Sequence, residues 1–267
     1  MYLTDLHMHS RCSPDGSYSM TEMARAAAEA GLAELCFTDH CDLMDLHGAF
    51  TPEFCWAPLE QEYREAQIPK GLTARFGIEL GEAQEDVKAA QQILDHAHLD
   101  FVIGSIHNMS RAAGGADFYY IKYQTKAQCY DWLDDYFAQM LSLTRWGGFD
   151  VLGHVSYPLR YMRNRDKQNV DLKPYWDQLE EIFRLIAEQG KGIELNTNRG
   201  RSLSEWLPIL RLYRDCGGEI VTVGSDAHVP EHVALGVKEG YELLKAANFR
   251  YVATYKERKP NFWRLDA

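Results

Sequence analysis

Seven short apolar runs, most of them followed by a stretch with 3.6-residue hydrophobic spacing, constrain this chain more than any other feature. The runs are "YLTDLHMH", "AELCFTDH", "ARFGIEL", "DFVIGSIH", "FDVLGHV", "KGIELNT" and "EIVTVGSDAH". Buried strands that alternate with helices form parallel β/α units, because a crossover must carry the chain back before the next parallel strand can begin. The helical segments are expected at 21–30, 82–96, 126–145, 174–189, 203–215 and 231–246. Ser19 or Thr21 with Glu22, and Ser202 or Ser204 with Glu205, are start signals, while the glycines of "AEAGL" and "AEQGKG" are stops. About seven such units predict a closed or nearly closed α/β barrel. A doubly wound open sheet is the alternative, but no G-x-G-x-x-G follows the first run to support a dinucleotide-binding version.

At 267 residues and 46% hydrophobic content, the chain is large enough for one substantial core, and no linker, repeat or low-complexity tract divides it, so one domain over 1–267 is expected. No apolar stretch reaches the ~18 residues that span a bilayer, and no secretory leader is visible, so a cytoplasmic protein without membrane contact is expected. Six cysteines without a C-x-x-C pair read as reduced thiols. The net charge of −11 excludes the basic footprint that nucleic acid requires. It does not exclude a small anionic substrate, because local cations govern a pocket. Two long aromatic-rich connections, about 41–70 and 108–125, are expected to be ordered flaps over that pocket.

The chemistry stands at the strand ends. His7 and His9 are two residues apart in the first run, and alternation places them on one face. The second run ends in Asp39-His40, the third in Glu79, the fourth in His107, the fifth at His154 and the seventh in Asp226-Ala227-His228. In β/α barrels the C-terminal strand ends share one mouth. Six of the ten histidines would therefore face one cavity, where they would repel if charged and lack partners if neutral. Divalent cations resolve that conflict, and a mixed imidazole–carboxylate set suits zinc, manganese or iron. The second H-x-H, His96 and His98, ends a helical segment at the opposite rim; it reads as surface, as do His232 and His47.

At these residues the sequence resembles the PHP (polymerase and histidinol phosphatase) superfamily. The motif is H-x-H, H, a lone E, two single H positions and a terminal D-x-H, matched by His7/His9, His40, Glu79, His107, His154 and Asp226/His228. The resemblance implies a distorted TIM-like barrel of seven β/α units with three metal ions. It assigns one metal to His7, His9, Glu79 and Asp226, a second to Glu79, His107 and His154, and a third to Asp15, His40 and His228. The length and the "GIELNT" segment are similar to the histidinol-phosphate phosphatases of histidine biosynthesis. The implied reaction is hydrolysis of a small phosphate monoester, L-histidinol phosphate, by a hydroxide held between metals that share Glu79.

Arg160, in "YPLRYMRNR", is the expected phosphate clamp, since a guanidinium fork matches phosphate, whereas Arg163 and Arg165 read as surface. Asp39, Asp226 or metal-bound water is expected to protonate the leaving alkoxide. Glu194 and Asn196, on the sixth run, are expected at the mouth, with Glu194 either holding a substrate amine or supporting a ligand histidine. The alternatives are a phosphoesterase acting on a nucleotide or sugar phosphate, a nuclease, an amidohydrolase, and a non-catalytic metal-binding module. The oligomeric state is not readable.

Overall fold

Seven parallel strands stand side by side in chain order: β1 (Thr4–Met8), β2 (Glu34–His40), β3 (Thr73–Gly81), β4 (Phe101–Ser105), β5 (Val151–Leu152), β6 (Gly192–Asn196) and β7 (Val221–Gly224). The computed structural model describes residues 1–96, 98–201 and 203–266. Beyond β7 the sheet curls back on its first strand. Met8 bridges to Ala227, His9 N–H donates to Ala227 O at 2.8 Å and Asp226 N–H donates to His7 O at 2.9 Å. The result is the nearly closed seven-unit barrel expected from the alternating pattern, with the distorted form that the resemblance implies, in one domain.

Eight helices accompany the strands among the described residues: α1 (Met20–Glu29), α2 (Trp56–Glu65), α3 (Val87–His96), α4 (Lys126–Trp146), α5 (Tyr157–Leu159), α6 (Trp176–Glu188), α7 (Trp206–Asp215) and α8 (Val237–Ala246). Local chemistry explains where several begin and end. A capping box joins Ser19 and Glu22 at the start of α1, whose Met20, Met23, Ala24 and Ala27 line one buried face. Gly31 (φ 79°) and Gly190 (φ 65°) supply the left-handed residues that end α1 and α6. Elsewhere the periodicity overruns. The segment expected from 82 begins with Glu82 at φ 55° and a short 3₁₀ turn, Ala83–Glu85, so α3 starts only at Val87. The segment expected from 231 opens with a 3₁₀ turn, Pro230–His232, and is α-helical only from Val237. Helix α7 begins after the turn Leu203–Glu205 with Glu205 at its cap; Ser204 lies inside that turn and Ser202 lies outside the described residues. Helix α2, within the 41–70 connection, was hidden because its cap, Cys55, makes no side-chain hydrogen bond.

A large apolar layer fills the space between strands and helices, bringing Met8, Ile78, Val102, Ile193 and Val223 into the same core as Met20, Phe137, Ile182 and Leu244. A smaller cluster comprises Leu6, Cys36, Phe101, Ile103 and Val151. An extra residue in β1, where Asp5 pairs with Leu35 but Met8 with Phe37, makes a bulge that assigns Leu6 to this cluster and Met8 to the outer layer. Ala253 and Tyr255 complete it, with the Tyr255 ring 4.9 Å from that of Phe101. They belong to a hairpin that sequence analysis did not find, β8 (Tyr251–Lys256) with β9 (Lys259–Arg264). Its Arg258 donates to Asp150 Oδ2 and Gly148 O, and its N–H to Asp100 O, all at the N-terminal ends of β4 and β5. The hairpin thus covers the end of the barrel opposite the strand-end residues.

Candidate metal centre

The strand ends deliver the motif residues to one place. His7 Nε2 and His9 Nε2 lie 3.1 Å apart. Glu79 Oε2 stands 3.2 Å from the former and 3.5 Å from the latter, and Asp226 Oδ1 stands 3.9 and 3.8 Å away. On the other oxygen of Glu79, His107 Nε2 and His154 Nε2 lie 3.2 Å from each other and 3.2 and 2.7 Å from Oε1. A third group forms on the open side, where the half-exposed Asp15 lies 2.8 Å from His228 Nε2 and 3.8 Å from His40 Nε2. The His9 ring sits between them, 4.1 Å from His228 and 4.3 Å from His40. Ligand atoms within 4.8 Å of one another define the sets His7/His9/Glu79, Glu79/His107/His154, His9/Asp15/His40/His228 and His40/Asp42/His107.

Outer partners decide which nitrogen faces inward. Glu194 Oε1 accepts from His7 Nδ1 at 2.6 Å, while Glu194 Oε2 accepts the backbone N–H of His154 at 3.0 Å. Gly224 permits that approach, since a Cβ there would lie 2.4 Å from His7 Cβ and 2.6 Å from Glu194 Oε1. Ser13 Oγ gives its one proton to Asp39 Oδ1 at 2.7 Å and accepts from His40 N–H at 3.0 Å. Its 3.0 Å contact with His9 Nδ1 therefore requires His9 to be the donor, leaving the Nε2 lone pair directed inward. Asp42 Oδ2 lies 3.2 Å from His40 Nδ1 and 3.4 Å from His107 Nδ1. Glu82, held in the left-handed region, accepts the N–H groups of His107 and Asn108 at 2.6 and 3.1 Å. Ser13, Asp42 and Glu82 were missed by sequence reasoning; the signals available were only the motif neighbours "SPD", "DHCD" and "ELGE".

Several expectations change here. Asp39 is not placed to protonate a leaving group, because Ser10 N–H, Ser10 Oγ and Ser13 Oγ all donate to its carboxylate. Glu194 does not present its carboxylate to a substrate amine; both oxygens are engaged behind His7 and His154. Asn196 is likewise a buried brace, donating to Glu194 Oε1 and Asp226 Oδ2 and accepting from Arg160. Arg160 does reach the cluster: one nitrogen donates to Asp226 Oδ2 at 2.8 Å and another to Asn196 Oδ1 at 2.7 Å, over the Tyr157 ring. Arg163 and Arg165 are braces rather than free surface charges. Arg163 holds Glu205 and Val170 O; Arg165 holds Asp166 and the Tyr119 and Ile121 carbonyls.

Burial alone would neutralise these groups, and neighbouring charges overturn it selectively. His7 is desolvated, yet Glu194, Glu79 and Asp226 hold its pKa well above the usual imidazole range. Burial, reinforced by His228 and His40, pushes His9 well below it. The second pair divides the same way: Glu79 and Asp42 outweigh burial at His107, whereas burial prevails at His154. Burial raises Asp226, but His7 and Arg160 more than offset it and keep the carboxylate ionised. Each facing Nε2 pair therefore accommodates one cation, a proton or a metal ion.

The two long connections meet beside this cluster. Asn108 donates to Asp45 O and Gly115 O, and Gly48 approaches Gly115 so closely that a Cβ would lie 2.5 Å from its carbonyl. His47 and His98 are exposed, His96 stacks on Trp56, and none of these, nor His232, joins the cluster. No helix of the described residues is long and apolar enough to cross a membrane.

A model of the PHP domain matches residues 5–198, ending before Asp226 and His228. A histidinol-phosphatase of Lactococcus lactis is 27% identical over 264 residues, covering 96% of this chain and 95% of that protein. A probable histidinol-phosphatase of Thermotoga maritima is 26% identical over 256 residues, covering 94% and 95%. The crystal structure of the Lactococcus lactis histidinol phosphate phosphatase, complexed with zinc, L-histidinol and phosphate, superposes with a TM-score of 0.81 at 24% identity, covering 97% of this chain and 99% of that one.

Proposed function

The chain belongs to the PHP domain family, and from that premise we propose that it is a metal-dependent phosphomonoesterase that converts L-histidinol phosphate to L-histidinol and phosphate. The observation that carries this reading is the facing of ring nitrogens, His7 on His9 at 3.1 Å and His107 on His154 at 3.2 Å, both against Glu79. Lone pairs that close repel without a cation beside them, and this donor set suits zinc, manganese or iron. The substrate is supported by the histidinol-phosphatases matched over nearly their whole length, one of them solved with zinc, L-histidinol and phosphate.

Three divalent ions are proposed, held by His7, His9, Glu79 and Asp226, by Glu79, His107 and His154, and by Asp15, His40 and His228. When bound, such ions supply Lewis acidity toward phosphate oxygens and lower the pKa of water to about 7. The rest falls to the chain's own residues. Asp226 has divided loyalties: Oδ2 is anchored by Arg160, which leaves Oδ1 facing His7 and His9. Two of the five Arg160 N–H groups are engaged with Asp226 and Asn196, and the guanidinium stands beside the cluster as the proposed phosphate clamp. The 41–70 and 108–125 connections are proposed to cover the bound ester and exclude bulk water.

Phosphate release from L-histidinol phosphate, a nucleoside monophosphate and a sugar phosphate tests the assignment. L-Histidinol phosphate is expected to lead in kcat/KM by about 100-fold or more. A nucleotide or sugar phosphate in first place would replace the substrate. Arg160→Ala should raise KM or lower kcat by about tenfold or more; unchanged kinetics would remove Arg160 from the site.

A further inference from the structure

Asp42 stands two residues beyond His40, where the pairing between the second and third strands continues past the strand end. Cys41 N–H donates to Glu79 O at 2.8 Å and Leu43 N–H to Gly81 O at 3.1 Å, which fixes the residue between them. Gly81 leaves room for its carboxylate, since a Cβ there would lie 2.3 Å from Asp42 Oδ1 and 2.7 Å from Cγ. One oxygen of this carboxylate stands beside two rings: Oδ2 lies 3.2 Å from His40 Nδ1 and 3.4 Å from His107 Nδ1. Both nitrogens are buried, and among the described residues neither makes a hydrogen bond. Glu79 Oε2, 3.3 Å from His40 Nδ1, is the oxygen that also faces His7 and His9. Other candidate ligands have supports of their own. His7 Nδ1 rests on Glu194, His9 Nδ1 on Ser13 and His228 Nδ1 on the Asp226 carbonyl.

An imidazole that offers Nε2 to a metal carries its proton on Nδ1, and that proton, when buried, needs an acceptor. A carboxylate in that place fixes the ring and raises its basicity as a ligand. His40 belongs to the set with Asp15 and His228, and His107 to the set with Glu79 and His154, so the two rings serve different ions. Resting on the three-ion reading of the proposed function, we propose that Asp42 is a positioning residue that orients both rings through one oxygen and thereby ties the second metal position to the third. The set His7, His9, Glu79 and Asp226 takes no support from it.

The test reads metal retention and ring N–H signals, not turnover. In chelator competition on zinc-loaded protein, Asp42→Ala should weaken two ions by about tenfold or more and leave the remaining one within about twofold of wild type. Asp42→Asn keeps the shape and an acceptor oxygen without the charge, and should fall between the two. Gly81→Ala, which forces the carboxylate out of place without removing it, should reproduce the Asp42→Ala pattern. In zinc-loaded protein carrying isotope-labelled histidine, two ring N–H resonances should move together in Asp42→Asn, while those of His7 and His9 stay. Wild-type retention in Asp42→Ala or Gly81→Ala, loss of one ion only, equal loss of all ions, or movement of one resonance alone overturns the inference while the proposed function stands. A fourth zinc equivalent that vanishes in Asp42→Ala also overturns it, because His40, Asp42 and His107 would then be a metal site in their own right. Wild-type protein that binds no zinc overturns the proposed metal centre and this reading with it.

Discussion

Ser13 has one hydroxyl proton and three neighbours, and the directions of all three contacts follow from that. Asp39 takes the proton, His40 N–H and His9 Nδ1 supply the other two, and His9 is left with its Nε2 lone pair inward. Ser13→Ala should weaken metal binding at the His9 position by about tenfold or more, the usual effect of losing an outer partner, and Ser13→Thr should recover most of it. Chelator-competition titration checks this; wild-type affinity in Ser13→Ala would show that the hydroxyl does not orient the ring. The inward-facing residues were legible because strand alternation and the shared barrel mouth place strand-end His7, His9, His40, Glu79, His107 and His154 by rule. The outer partners were not. Ser13 lies in a loop, where no period operates, and nothing in the sequence distinguishes Glu194 aimed at a ligand histidine from Glu194 aimed at a substrate.

At the level of elements, the seven strands could be read because each is short, apolar and separated by helical patterning. The C-terminal hairpin could not. Its two-residue turn, Glu257-Arg258, adopts φ of 50° and 61°, a conformation usually announced by Asn-Gly or Asp-Gly. What holds the turn is tertiary: Arg258 donates to Asp150 and Gly148, and Glu257 N–H donates to Asp100 Oδ1. The hairpin and the metal centre occupy opposite ends of the barrel, so they are separable by mutation. Tyr255→Ala, which empties part of the inner cluster, should cost about 3 kcal/mol in denaturant unfolding. Metal content of the folded variant should equal that of wild type. Loss of metal from folded Tyr255→Ala would mean that the barrel transmits damage from one end to the other.

Across the molecule, a chain of net charge −11 concentrates six imidazoles in one cavity, and proton occupancy keeps that arrangement tolerable when no metal is bound. His7, His40 and His107 are raised above their unfolded values, so their contribution to metal-free stability is present below about pH 6.5 and is lost as pH rises through the higher folded values, about 9 for His40. Glu79 and Asp226 are depressed, so theirs is present above the ordinary carboxylate range and lost as pH falls through the folded values. Metal must displace the protons on His7, His40 and His107. Calorimetric titration at pH 7 in buffers of different ionisation enthalpy should record release of about three protons when all three sites fill, with apparent affinity rising with pH. Metal uptake without proton release would contradict the shared-proton account of the two histidine pairs.

The most direct test is elemental analysis of gently purified protein, measured alongside L-histidinol phosphate turnover during stepwise chelation and metal restoration. Nine convergent side chains predict two or more bound divalent ions per chain, with activity falling as they leave and returning when they are restored. Full turnover from protein carrying less than one equivalent would contradict the metal centre as the source of the chemistry.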